Sequence, residues 1–170
     1  TYTDANSCSA NATNTITVNA GAAVTLGSFT PVCDNSSAIN LTSGSPAGGT
    51  YSGTGVSGTT FNPTTSGAGT FAITYSYTNA NGCVSTAQSN IVVNAVTAAS
   101  MATPQAVCLN TSTFALTGGT PVGGTYSGTG VTSNNFNASV AGVGNVTITY
   151  TYTNASGCVS TATATQVVNA

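Results

Sequence analysis

The chain contains no lysine, arginine, glutamate, histidine or tryptophan, and in 170 residues its only formally charged side chains are Asp4 and Asp34. An ordinary soluble domain is about one quarter charged, so each absence excludes a class of function. Nucleic-acid binding rests on cationic side chains that neutralise phosphates, and there are none. General acid–base catalysis needs groups that titrate near neutrality, which two isolated aspartates do not supply. Calcium and magnesium sites need several oxygen ligands, usually including carboxylates. A zinc site would have to use cysteines alone, and no two are spaced as C-x₂₋₄-C. The expectation is a protein that is not an enzyme, with no cofactor, no metal and no nucleic-acid partner. No apolar run approaches the ~18–20 residues that span a bilayer as a helix, so no membrane span is expected. No signal peptide is visible, and Thr1 reads as the start of a mature product or of an excerpt.

What is present is a strand-and-turn composition. Apolar residues make up 40% of the chain, much of it Ala and Val, and Thr, Ser, Asn and Gly supply most of the rest. Disordered chains are usually charged and poor in apolar residues; this one is neither. Threonine and valine favour strands, and Gly, Asn and Ser favour the turns between them.

Residues 53–58, Gly-Thr-Gly-Val-Ser-Gly, match the G-x-G-x-x-G pattern of dinucleotide-binding loops. Such a loop must open a helix and precede an acidic residue by about twenty positions. Thr-Thr-Phe-Asn-Pro follows instead, and no Asp or Glu lies downstream. The stretch has another meaning. Gly-Gly-Thr-Tyr-Ser-Gly-Thr-Gly-Val occurs at 48–56 and again at 123–131, a displacement of 75 residues. Tyr75-Ser-Tyr77-Thr-Asn-Ala and Tyr150-Thr-Tyr152-Thr-Asn-Ala share that displacement, as do Val93-Asn94-Ala95 and Val168-Asn169-Ala170. Aligned without a gap, 21–95 and 96–170 are identical at about half their positions. Residues 1–20 fit the same frame, with Tyr2 to Cys8 falling on Tyr77 to Cys83 and Val18-Asn19-Ala20 on Val93-Asn94-Ala95. The organisation expected is a terminal hairpin of a truncated repeat at 1–20, a first repeat at 21–95 and a second at 96–170.

A period of 75 is the size of one small domain and too long for a solenoid rung. Val146, Ile148, Tyr150 and Tyr152 alternate strictly with polar residues and so share one face of a strand; Phe71, Ile73, Tyr75 and Tyr77 answer them. Asn79-Ala-Asn81-Gly82 marks a hairpin turn, with a returning strand through Val84 to Val93. Shorter strands are expected around 22–27, 37–42, 49–53 and 57–62, and helical periodicity is absent. Six or seven short strands per repeat predict an all-β fold of tandem small immunoglobulin-like β-sandwiches.

Cysteines stand at 8, 33, 83, 108 and 158, two in each full repeat, with Cys8 equivalent to the second. One pairing closes each repeat on itself, Cys33 with Cys83 and Cys108 with Cys158, leaving Cys8 unpaired by truncation. The other stitches neighbours, Cys8 with Cys33 and Cys83 with Cys108. Spacing fits both; the first is preferred because Cys83 and Cys158 follow a hairpin turn that can lie near the segment carrying the other cysteine. Disulfides place the protein outside the cytoplasm, and small domains with little core use them as staples.

Three further features invite functional labels. Thr147, Thr149, Thr151 and Thr153 form an outward hydroxyl row of the kind seen on ice-binding surfaces, though good strand formers facing solvent give the same row. Seven Asn-x-Ser/Thr sequons fall in a chain so rich in these residues that chance yields many. Tyr51 and Tyr126 can stack on a sugar, which makes surface glycans an alternative partner.

The motif order runs Val-Cys, Leu-Thr-x-Gly-x-Pro-x-Gly-Gly-Thr-Tyr-Ser-Gly-Thr-Gly-Val, Phe-Asn, Ile-Thr-Tyr-x-Tyr-Thr-Asn-Ala-x-Gly-Cys, Val-Val-Asn. It resembles the tandem Ig-like repeats of large surface and secreted proteins of Bacteroidetes-type bacteria, including gliding-motility-related adhesins exported by the type IX system. The resemblance implies a bacterial cell-surface or extracellular location and a role as spacer, stalk or adhesive array, and it brings no catalytic residues. Like charges keep soluble proteins apart, and this surface has almost none. The function expected is therefore a structural repeat protein of a self-assembling filament or sheath, associating with itself or with neighbouring repeats. The alternatives are a passive adhesin stalk and a glycan-binding module.

Overall fold

A computed structural model describes residues 1–170. The chain opens with β1 (Tyr2–Thr3) and β2 (Ser9–Ala10), an isolated antiparallel pair. Then follow β3 (Thr25–Leu26), β4 (Val32–Cys33), β5 (Ile39–Asn40), β6 (Gly44–Ser45), β7 (Thr50–Ser52), β8 (Val56–Ser57), β9 (Thr60–Phe61), helix α1 (Pro63–Ser66), β10 (Gly69–Thr78) and β11 (Val84–Asn94). The same order returns as β12 (Ser100–Met101), β13 (Val107–Cys108), β14 (Phe114–Ala115), β15 (Gly119–Thr120), β16 (Thr125–Ser127), β17 (Val131–Thr132), β18 (Asn135–Phe136), α2 (Ala138–Ala141), β19 (Gly144–Thr153) and β20 (Val159–Asn169).

The fold is an all-β sandwich, built once in each half. The long hairpin β10–β11 runs in register from Gly69↔Val93 to Thr78↔Val84. Strand β7 extends it antiparallel on one side, and β4 pairs in parallel with the far end of β11, Val93↔Val32 and Asn94↔Cys33. The sheet order is β4-β11-β10-β7, and β13-β20-β19-β16 repeats it in the second half. Against this sheet lie β5-β9-β8 and the pair β3-β6, with β14-β18-β17 and β12-β15 as their counterparts. Alternation along β10 puts Ile73 and Tyr75 inside, and Ile73 joins Leu41, Phe61, Ile91 and Val93 in one core. The second half has its own core of Leu116, Phe136, Ala138, Val146, Ile148 and Val168. Each Val, Leu, Ile or Phe among them contributes roughly 1.5–3 kcal/mol on burial. With only a handful per half, neither core is large.

Tyrosines and glycines of the repeated nonapeptide are one device. The Tyr75 hydroxyl accepts from the Gly49 amide at 2.7 Å and donates to the Pro46 carbonyl; that of Tyr51 accepts from the Gly44 amide at 2.8 Å. The two rings lie 4.8 Å apart. A Cβ at Gly44 would stand 2.6 Å from the Tyr75 ring, and one at Gly49 would stand 2.4 Å from the Ser76 carbonyl oxygen. Tyr150, Tyr126, Gly119 and Gly124 repeat the arrangement. Gly53 and Gly55, the supposed phosphate-loop glycines, have φ of 147° and 79° and lie against Ala72 and Ser66. They bend the chain between β7 and β8, where a side chain has neither room nor an allowed backbone conformation.

The expected strand count needs correction. Each half has nine strands, not six or seven, because several are only two residues long. Each half also has a helix, a single turn capped by Asn62, which accepts from the Thr64 amide, or by Asn137, which accepts from those of Ser139 and Val140. One turn is too short to show helical periodicity, so the only local signals are the Asn caps, Pro63 at the first position of α1 and the glycines that follow, Gly67 and Gly142. Within 1–20 only β1 and β2 are regular, and every residue there is exposed.

The junction between the halves as candidate functional site

The site begins at the end of β4. Parallel pairing to β11 brings Cys33 beside Asn94. The Asp34 amide continues the ladder to the Asn94 carbonyl at 2.9 Å, and the Asp34 carboxylate accepts from the Val96 amide at 3.1 Å. A tight turn closes behind it, with the Ser36 amide donating to the Cys33 carbonyl and the Cys33 amide to Ser36 Oγ. The chain is thereby fixed where it leaves one half for the other.

The second half contributes the turn between β19 and β20. Asn154 Oδ1 accepts from the amides of Ser156 and Cys158, each at 3.0 Å, and Gly157 takes φ of 80°. The Asn154 side-chain amide then reaches across to the Ala95 carbonyl at 2.8 Å. Asn35 donates to the Val159 carbonyl at 3.0 Å, and Ser160 Oγ to the Thr97 carbonyl at 2.6 Å. At the centre Cys33 and Cys158 form a disulfide with Cα atoms 5.7 Å apart and 125 residues between them in sequence. Cys158 is 1% exposed.

This pairing overturns both expected ones. Cys33–Cys83 and Cys108–Cys158 do not form, and neither do Cys8–Cys33 and Cys83–Cys108; Cys8, Cys83 and Cys108 are free thiols. The reason is strand length. Cys33 lies beside the last residue of β11 and Cys83 stands just before the first, so eleven extended residues separate them. At ~3.4 Å per residue that is roughly 35 Å, far beyond the ~4.4–6.8 Å between Cα atoms that a disulfide allows. Each hairpin turn lies at the end of its sandwich that faces the preceding segment, and each first cysteine lies at the opposite end.

Cys83 sits in the same surroundings as Cys158. The Asn79 side-chain amide donates to the Ala20 carbonyl at 2.9 Å, and the Cys83 sulfur is 3.7 Å from the Asn19 carbonyl oxygen. In the second half the sulfur of Cys158 is 3.8 Å from the Asn94 carbonyl oxygen. Cys108 is the counterpart of Cys33, paired beside Asn169 on β20, but it is exposed. It borders an open concavity of about 550 Å³ formed with Leu109, Asn110 and Ala170.

A second concavity, of about 370 Å³, belongs to the second half alone in its chemistry. Gln166 occupies the register position of Ile91 and is wholly buried. Its Nε2 donates to the carbonyls of Gln105 (2.7 Å) and Val167 (3.1 Å), while Oε1 is buried without a partner. Pro104 stands where the first half packs Phe29 on its core. In the sequence, the signal for Gln166 is a polar residue at a position where the first repeat has Ile91.

The threonine row Thr147, Thr149, Thr151 and Thr153 lies on the outer sheet face, opposite Thr165, Thr163, Thr161 and Val159. In the first half, Gln88 and Asn90 interrupt the corresponding face. Tyr51 and Tyr126, the sugar-stacking candidates, spend their hydroxyls on backbone amides and their rings on Tyr75 and Tyr150. No helix is long and apolar enough to cross a membrane. In comparison with known proteins, the chain matches no family model and no curated protein.

Proposed function

We propose that the chain is a structural segment of an extracellular filament or sheath, in which successive 75-residue sandwiches are locked end to end. The observation that carries this reading is the Cys33–Cys158 disulfide, which spans two halves that each possess their own core. A staple serving fold stability alone works within one unit. One placed across the boundary fixes how consecutive units sit and lets pulling force pass through a covalent bond. It is also compatible with an oxidising, extracellular environment. The uncharged, hydroxyl-rich outer sheet supports lateral association, since no like-charge repulsion opposes contact between copies.

A stalk within a larger adhesin is the second reading. It is favoured by the in-line linker, where Val96 is held on Asp34 and the chain passes directly into the next sandwich. The motif resemblance to bacterial surface repeats supports both. Antibodies raised against the folded chain, used for immunogold labelling of the producing cells, test the proposal. Label along surface fibres or a surface coat is expected. Label confined to the cytoplasm would refute it.

A further inference from the structure

The end of the molecule that carries Cys108 repeats the backbone of the half-site that Cys33 contributes to the junction, with Leu109 in place of Asp34 and so without the carboxylate that accepts from the Val96 amide. Cys108 pairs in parallel beside Asn169, as Cys33 does beside Asn94. The Leu109 amide donates to the Asn169 carbonyl at 2.8 Å, matching the bond from Asp34 to Asn94. The Cys108 amide donates to Thr111 Oγ1 at 3.1 Å, matching the bond from Cys33 to Ser36. At the junction the space beside Cys33, Asn35 and Ala95 is filled by the Asn154–Cys158 turn. At the other end the equivalent residues, Cys108, Asn110 and Ala170, line the open 550 Å³ concavity, with the exposed Leu109 at its side.

We propose that this concavity is a docking site for the cysteine-bearing turn of another repeat following in line, and that Cys108 forms a disulfide with that repeat's second cysteine. This deepens the structural-array reading and rests on it. The rule is general: the first cysteine of one repeat bonds the second cysteine of the next. Cys83 presents the other half of such a bond, its turn seated on Asn19 and Ala20 as that of Cys158 is on Asn94 and Ala95.

The occupant is an in-line repeat and not the turn of a second copy. The two turns that dock carry Asn79 and Asn154, whose side-chain amides donate to the carbonyls of Ala20 and Ala95. The free turn of a second copy carries Asp4, which has no hydrogen to donate and spends its Oδ1 on the amides of Asn6 and Cys8. The Cys83 turn of a second copy is already occupied by its own Asn19 and Ala20. In chemical terms, the two thiols give up two protons and two electrons, and a small disulfide oxidant such as oxidised glutathione takes them and is cleaved to two thiols.

The test extends the chain directly after Ala170 with a further copy of residues 96–170, carrying Ala155→Thr in the added copy as a mass tag. The protein is refolded in a glutathione redox buffer, its free thiols are alkylated, and it is digested with pepsin in acid, where disulfide exchange stops. The 170-residue chain is treated in parallel. The expected result is Cys108 linked to the tagged turn, with Cys33–Cys158 retained and Cys8, Cys83 and the added first cysteine alkylated. Alkylated Cys108, or Cys108 linked to the added first cysteine, would overturn the proposal. Cys8–Cys108 cross-links between copies of the 170-residue chain would overturn the in-line occupant. Failure at Cys108 with Cys33–Cys158 intact removes this inference alone, whereas loss of Cys33–Cys158 removes the structural reading beneath it.

Discussion

Cys33→Ser, a substitution in the first half, should destabilise the second. When the second half unfolds alone, the disulfide still holds Cys158 at the folded first half, so the chain from Val96 to Cys158 remains a closed loop. Closing a loop of roughly 60 residues contributes about 4 kcal/mol in the chain-entropy model. A 75-residue unit has a total stability of only about 4–11 kcal/mol at typical values per residue, so the loss should leave it marginal. At ~1.4 kcal/mol per tenfold, hydrogen-exchange protection across β19 and β20 should fall by about a thousandfold, or to the floor set by the remaining stability. Exchange measured by mass spectrometry on peptic peptides suits a chain without trypsin sites. Cys108→Ser is the control: its thiol is free, so the second half should keep its protection. If Cys33→Ser affects only residues 21–95, or if Cys108→Ser is the variant that loosens 96–170, the reasoning fails.

Other outcomes follow from single contacts. Gly49→Ala would drive a Cβ onto a backbone oxygen 2.4 Å away, whereas Gly82→Ala meets open space at a positive φ. Urea unfolding should show a loss of about 1–3 kcal/mol or more for the first and about 1 kcal/mol for the second; equal losses would deny the clamp. Tyr75→Phe removes the acceptor for the Gly49 amide and the donor to Pro46, and should cost about 1–3 kcal/mol. Gln166→Ile replaces an amide with an unpartnered oxygen by the residue found at position 91, and should stabilise the second half by about 1–3 kcal/mol; destabilisation would mean the amide's bond to Gln105 outweighs that oxygen. Because the chain contains no cationic side chains, its unfolding midpoint should hardly change between about 0.05 and 0.5 M sodium chloride.

The parts of the fold legible in the sequence were the long strands, where alternation is sustained over many residues. Strict alternation over Val146–Tyr152, answered by Phe71, Ile73, Tyr75 and Tyr77, located β19 and β10 and their buried faces, and Asn-Ala-x-Gly located the turns after them. Two-residue strands such as β4 and β6 leave no alternation to read, yet β4 is the one that positions Cys33. The disulfide was misread for the same reason. The cysteine spacing was visible, but the distance between Cys33 and Cys83 depends on β4 pairing in parallel with the far end of β11, a long-range choice with no local signature. The tyrosine clamp lay in plain view as Gly-Gly-Thr-Tyr-Ser-Gly-Thr-Gly-Val, but its meaning required knowing that Tyr75, far along the chain, fills the space those glycines leave open.

The most direct test is a disulfide map of the 170-residue chain itself. Protein produced under oxidising conditions is alkylated, digested with pepsin in acid without reduction, and examined for linked peptides. A peptide joining Cys33 to Cys158, with Cys8, Cys83 and Cys108 alkylated, is the expected result. Peptides joining Cys33 to Cys83 and Cys108 to Cys158 would contradict it, since each sandwich would then be closed on itself and the junction would carry no covalent link.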